Sequence, residues 1–288
     1  MRRVALIFVA SMVLAAGGKA QSGALQVPQH AVAGEALDLQ TSGSGNGTLV
    51  LVGPAQVIKR DVKLGSPVPI KAGELRSAGQ WTAILRSDGK SSVQSFYVEP
   101  GPVESLSFLA RPSRVPVARP SAISGIVFVF DKFQNLILQP TPVKFNLSVA
   151  GTGVGQTVTS RNGVAWISSS SARKAGAAQF VAESSDVSVR RVVQQVASDP
   201  CNLRMHVAGH SANGTTVETD PIRDCTGNPV PDGTIVTFIQ TDSNGRSTVD
   251  ARIKKGVARA DLPSSNKATI SVASGVVLGN ELHVGGGQ

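Results

Sequence analysis

The chain has 288 residues, with 28 Lys and Arg against 19 Asp and Glu (formal net charge +9), only 4 His and 2 Cys, and 4% aromatic residues. Scarce aromatics and the lack of any RNA- or DNA-binding motif set nucleic acid aside in spite of the basic charge. With so few histidines and no Gly-x-Ser-x-Gly elbow, nucleophilic catalysis has no support in the sequence.

Arg2 and Arg3 precede an apolar run from Val4 to Ala16, and Gly18 and Ala20 offer small residues for cleavage before Gln21. This is the pattern of a secretory signal peptide, expected over residues 1–20. The apolar run falls short of the roughly 20 residues that span a bilayer, no later stretch is longer, and no cysteine lies nearby to carry a lipid. The expectation is an exported protein, periplasmic, at the cell surface or extracellular, with no transmembrane anchoring after cleavage. Losing Arg2, Arg3 and Lys19 takes the net charge from +9 to +6.

Beyond the signal, Gly and Pro are spread evenly, Val, Ser and Thr abound, and no amphipathic helix stands out. Short alternating segments cut by turns every 8–12 residues or so predict an all-β chain of tandem immunoglobulin-like β-sandwiches, three in number, at residues 22–100, 101–198 and 199–286. In the first, strands are expected at 48–52, 80–85 and 93–98, with a turn at Asp88-Gly89. Trp81 is the expected core aromatic there; its alternative role is a stacking platform for a sugar. The glycine-rich stretches Gly43–Gly47 and Gly151–Gly155 lack phosphate-loop chemistry and are expected to be flexible loops. Gly101-Pro102 and Ser198-Asp199-Pro200 are the expected linkers.

The middle module should carry strands at 126–130 and 143–147, where Val143, Phe145 and Leu147 fall on one face. It also holds the whole charge excess of the mature chain, ten basic against four acidic side chains over residues 101–198. Arg111, Arg114, Arg119, Arg173, Lys174, Arg190 and Arg191 are candidate contacts for an anionic polymer, through binding that weakens as salt rises.

In the last module a strand is expected at 235–239. Cys201 and Cys225 are the only cysteines of an exported chain, and a disulfide is their expected fate. They would close the open end of a hairpin that turns near Ser211-Ala-Asn-Gly214. Glu218, Asp220 and Pro221 make the second arm polar, which predicts an edge or distorted strand. His206 and His210, four apart, would stand roughly 13 Å apart on a strand, too far to share one ion. Asp220, Asp224, Asp232, Asp242 and Asp250 follow no calcium-loop spacing. No catalytic, cofactor or metal site is expected.

The middle and last modules repeat in register. At one offset of 93, Asp131 matches Asp224, Asn135 matches Asn228, Val143 matches Val236 and Phe145 matches Phe238, and Gly163-Val164-Ala165 falls on Gly256-Val257-Ala258. A repeat this long is a whole domain. Asp224-Cys-Thr-Gly-Asn-Pro-Val-Pro-Asp-Gly-Thr-Ile-Val-Thr-Phe238 resembles the signature of the group-1 bacterial immunoglobulin-like repeats of invasin/intimin-type surface proteins, a turn followed by a core strand. The resemblance is clearest over residues 200–286 and weaker over 101–198, where Gln134, Leu136, Leu138 and Pro140 replace Gly, Pro, Pro and Gly. It implies a non-enzymatic adhesion or spacer role, with a cell-surface protein as partner and no cofactor; the basic middle module makes an anionic envelope polysaccharide the other expected partner. The alternative is a carbohydrate-binding accessory protein of a secreted polysaccharide-degrading system.

Overall fold

The computed structural model describes residues 23–211 and 214–285; the signal segment and Asn213 of the Asn213-Gly214 turn lie outside the described residues. Among the described residues there are strands and turns and no helix. The strand Gly79–Ser87 shows why: Trp81, Ala83, Leu85 and Ser87 alternate with more exposed neighbours, so one face is buried and the other is not. The six strands expected from alternation all lie within observed ones, from Asn46–Val52 to Ile235–Asp242.

A unit ending at Gly101 holds the first sandwich. Its five-stranded sheet runs in the order His30–Val32, Lys90–Glu99, Gly79–Ser87, Asn46–Val52, Val57–Lys63, and its three-stranded sheet joins Leu25–Gln26, Leu37–Thr41 and Val68–Ile70. Both inner faces are apolar, with Leu39 and Ile70 buried from one sheet and Leu49, Trp81 and Phe96 from the other. Gly53 lies so close to the Trp81 ring that a Cβ there would overlap it, so the indole owes its fit to a missing side chain.

A second unit begins at Pro102 and contains two separate cores. In the middle sandwich a three-stranded sheet (Val164–Ser169, Ile123–Phe130, Ser105–Arg111) faces a five-stranded one (Arg114–Pro116, Val187–Val196, Gly176–Ser184, Pro142–Val149, Thr152–Thr159). Phe108, Phe145 and Phe180 meet between them with ring centroids 5.0–6.1 Å apart. Gly125 admits that cluster: a Cβ there would come within 2.7 Å of the Phe180 ring. The stretch Gly151–Gly155 is not a loop as expected. Ala150 and Gly151 form a tight turn with positive φ, and Thr152–Thr159 then pairs along its length with Pro142–Val149 as an edge strand.

The last sandwich sets Met205–Ser211, Gly214–Thr219 and Arg259–Pro263 against Gly245–Arg252, Ile235–Asp242, Ala268–Ser274 and Val277–Val284. Here the polar arm expected at an edge is the central strand of its sheet. Its polarity is one-sided: Thr215, Val217 and Thr219 point inward and are buried, while Glu218 faces out. Thr219 Oγ1 satisfies its own burial by accepting from Ala258 N (2.9 Å), and the chain has left the sheet before Pro221. The distortion lies in the neighbouring strand, whose register shifts between Val207 and Gly209.

Candidate functional site

Cys201 and Cys225 are joined by a disulfide, Cα to Cα 4.8 Å, across the short pair Pro200–Cys201 and Arg223–Asp224. It closes the open end of the hairpin whose arms are Met205–Ser211 and Gly214–Thr219. A loop of that size stabilises the fold by about 3 kcal/mol in the chain-entropy model.

Directly beside it stands the junction between the middle and last sandwiches. Asp224 is buried, and its Oδ1 accepts hydrogen bonds from Thr226 N (2.8 Å), Thr226 Oγ1 (2.7 Å) and Asn228 N (2.9 Å). Its Oδ2 accepts from Ser198 N (3.1 Å) in the linker. Burial disfavours the Asp224 carboxylate, but the donors from Thr226, Asn228 and Ser198 outweigh it and hold the pKa at about 2, against an ordinary 3.8. Asn228, ordered by this loop, reaches the middle sandwich: Ala175 N donates to its Oδ1 (2.8 Å) and its Nδ2 donates to Arg173 O (2.8 Å). One amide side chain thus fixes two backbone groups of the preceding module. The matching loop at Asp131 is built alike, Oδ1 accepting from Phe133 N and Asn135 N at 2.8 Å.

The candidate basic residues form one group and three outliers. Arg114 lies in the strand that pairs with the end of Val187–Val196, and Arg119 is tied to the loop holding Arg173 and Lys174 by Ala118 N to Ala172 O (2.9 Å) and Arg119 N to Ser171 Oγ (2.8 Å). These four gather at the end of the middle sandwich nearest the last one. Arg114 and Arg119 line a cleft of about 480 Å³ there with Asp199, Pro231 and Ile235. Arg119 is 3.8 Å from Asp199, an exposed pair of little energetic weight. Arg190 and Arg191 stand further back along their strand, on opposite faces by alternation, and Arg111 belongs to the other sheet.

His206 faces Asp220 and His210 faces Thr215, each at 3.3 Å. Among the described residues no three His, Cys, Asp or Glu side chains come together where they could hold a metal ion. In the first sandwich a broad polar depression is lined by residues of both charges, among them Asp61, Lys63, Arg86 and Lys90.

Trp81 cannot serve as a sugar platform. It is 0% exposed, its ring is 6.4 Å from Phe96, and its Nε1 donates to Ser77 O (2.8 Å). The other tryptophan is the reverse. Trp166 is 66% exposed on the open edge strand Val164–Ser169, beside a groove of about 820 Å³. Sequence reasoning passed over it, although the repeat marks it: an offset of 93 sets Trp166 against Arg259, a surface charge in the last module.

No protein-family model and no curated protein matches the chain. Solved structures do. The Escherichia coli adhesin FdeC is similar over 92% of this chain and 96% of its own, with a TM-score of 0.63 at 13% identity. InvD of Yersinia pseudotuberculosis is similar over 91% and 96%, with a TM-score of 0.50 at 10% identity. Invasin, a bacterial integrin-binding protein, aligns over 89% of this chain and 57% of its own with a TM-score of 0.48, and adds nothing to what the other two establish. That is a shared fold, tandem immunoglobulin-like β-sandwiches, the one implied by the resemblance to invasin/intimin-type repeats.

Proposed function

We propose that this chain is an exported, non-enzymatic protein that acts in adhesion or interaction at a cell surface or envelope, with its modules at residues 22–100, 101–198 and 199–286 also serving as spacers. Its partner is a cell-surface protein or an anionic envelope polysaccharide. The junction at Asp224 and Asn228 carries this reading. A protein that presents a surface at a distance needs neighbouring modules held in one arrangement, and here two backbone groups of the middle sandwich and one of the linker are bound by side chains of the next. The likeness in fold to an adhesin over most of both chains supports it.

Arg114, Arg119, Arg173 and Lys174 are the residues we assign to an anionic partner, with Arg111, Arg190 and Arg191 as outlying contacts. The test is to fractionate the producing cell and to measure retention of the full chain on its envelope through a salt series. Recovery outside the cytoplasm, with retention that falls as salt rises and falls further in Arg114→Gln/Lys174→Gln, is the expected result. Confinement to the cytoplasm, or retention indifferent to both salt and charge removal, would overturn it.

A further inference from the structure

We propose that the outer face of the three-stranded sheet of the middle sandwich, from Trp166 into the groove beside it, binds a carboxylated oligosaccharide. The inference deepens the interaction reading above by naming a ligand class, and it rests on that reading only for its biological setting.

Strand register puts Leu109, Ile126 and Trp166 in one cross-strand row and Phe128 and Val164 in the next, all on the solvent side of the sheet. Leu109 is 45% exposed and Phe128 38%. The corresponding row of the last sandwich is His206, Glu218 and Arg259, with Glu218 3.9 Å from Arg259. In the first sandwich the outward pairs of the same sheet are Gln26 with Gln40 and Asp38 with Pro69. Two modules keep this face polar, as solvent demands, and the middle one makes it aromatic. Folding does not require that, because the core beneath is closed by Ala165 and Ile167 of the same strand. A ligand explains it.

The groove says which ligand. Trp166, Val164, Val158 and Pro140 form its apolar side, Gln156 and Arg161 its polar side, and no acidic residue lines it. Among the described residues, the Gln156 amide and Arg161 guanidinium make no side-chain hydrogen bond or ion pair. A sugar ring has an apolar C–H face and a rim of hydroxyls, which suit an indole flanked by an amide, and a carboxylate suits a free guanidinium in bidentate contact. The volume is within the usual range for a small-ligand site. A protein partner fits less well: the apolar rows stop at Ser124, Ser168 and Arg111 at one end, and with half-buried Phe130 and Leu136 at the other they come to seven residues, where an interface of standard size uses about 20–30 a side.

The chain has two tryptophans, and both emit, but Trp81 is buried away from any ligand on this face, so a ligand-dependent change in emission reports on Trp166. Purified full chain is titrated with oligomers of galacturonate, glucuronate and sialate and with neutral galacto-oligosaccharides, followed by fluorescence and calorimetry. One carboxylated series should give a saturable emission shift, absent in Trp166→Ala, and Arg161→Gln should weaken binding about tenfold or more while removing the preference over neutral sugar. Circular dichroism of each variant confirms folding. No saturable response to any carboxylated series, equal binding of neutral sugar by the unmodified chain, or binding retained in Trp166→Ala would overturn the proposal. Self-association in sedimentation that Trp166→Ala abolishes would overturn it in favour of a second copy. This titration needs no cell, so its failure leaves the retention experiment above to stand or fall separately.

Discussion

The middle and last sandwiches repeat one pattern at an offset of 93 residues, yet they are held together differently. Between its sheets the middle one gathers Phe108, Phe145 and Phe180; the last keeps only Phe238 at the matching place and surrounds it with Met205, Ile253, Ile270 and other aliphatic side chains. The last has a disulfide and the middle has none. Aromatic rings bury the most area per side chain and add edge-to-face contacts, so a module that loses two of them gives up several kcal/mol. A cross-link returns part of that by restricting the unfolded chain rather than by improving the folded one. Two modules of one topology thus reach stability by acting on opposite ends of the folding equilibrium.

The largest test of that contrast is Phe180→Ala, which should destabilise the middle sandwich by about 3–5 kcal/mol because Gly125 opposite it has no side chain to fill the hole. Hydrogen exchange resolved by region should show the loss over residues 105–196. A loss under about 1 kcal/mol would mean that the ring cluster is not what holds this module. Next comes the double change Cys201→Ser with Cys225→Ser, expected to cost about 3 kcal/mol in the last sandwich alone. Equal loosening of the middle core would show that the two modules unfold as one.

Acid should act on the last module through Asp224. Its carboxylate has a folded pKa of about 2 against an ordinary 3.8, so its contribution is complete above about pH 4 and is lost as pH falls toward 2. The size is about 2 kcal/mol. In Asp224→Asn that pH dependence should flatten, and an unchanged acid limb in a urea titration series would assign it to other carboxylates. The smallest effect is expected from giving the edge of the middle face the charge that the last one carries at the matching place, Trp166→Arg. Stability should change by less than about 0.5 kcal/mol because Trp166 lies outside the core. A loss well above that would make the exposed row a structural element.

Much of this was open to sequence reasoning because alternation and turn chemistry are local. Val143, Phe145 and Leu147 declare their buried face within five residues, and Asp224 to Phe238 carries its loop and core strand as one readable segment. The polar arm around Glu218 misled for an equally physical reason. Composition suggested an edge, while a central strand needs only one apolar or satisfied face, and Thr219 is satisfied by a backbone donor 39 residues away. The glycines at 151–155 suggested a loop because propensity says nothing of a neighbouring strand ready to pair.

Periodicity, turn residues and the 93-residue repeat determined a chain of immunoglobulin-like sandwiches and the pairing of its two cysteines, since each depends on neighbours in the chain or on a count. Which tryptophan is hidden, which charges gather beside the junction and how Asn228 reaches Arg173 and Ala175 were decided only in three dimensions. Those outcomes turn on which sheet face meets which partner, and residues far apart in sequence settle that by packing.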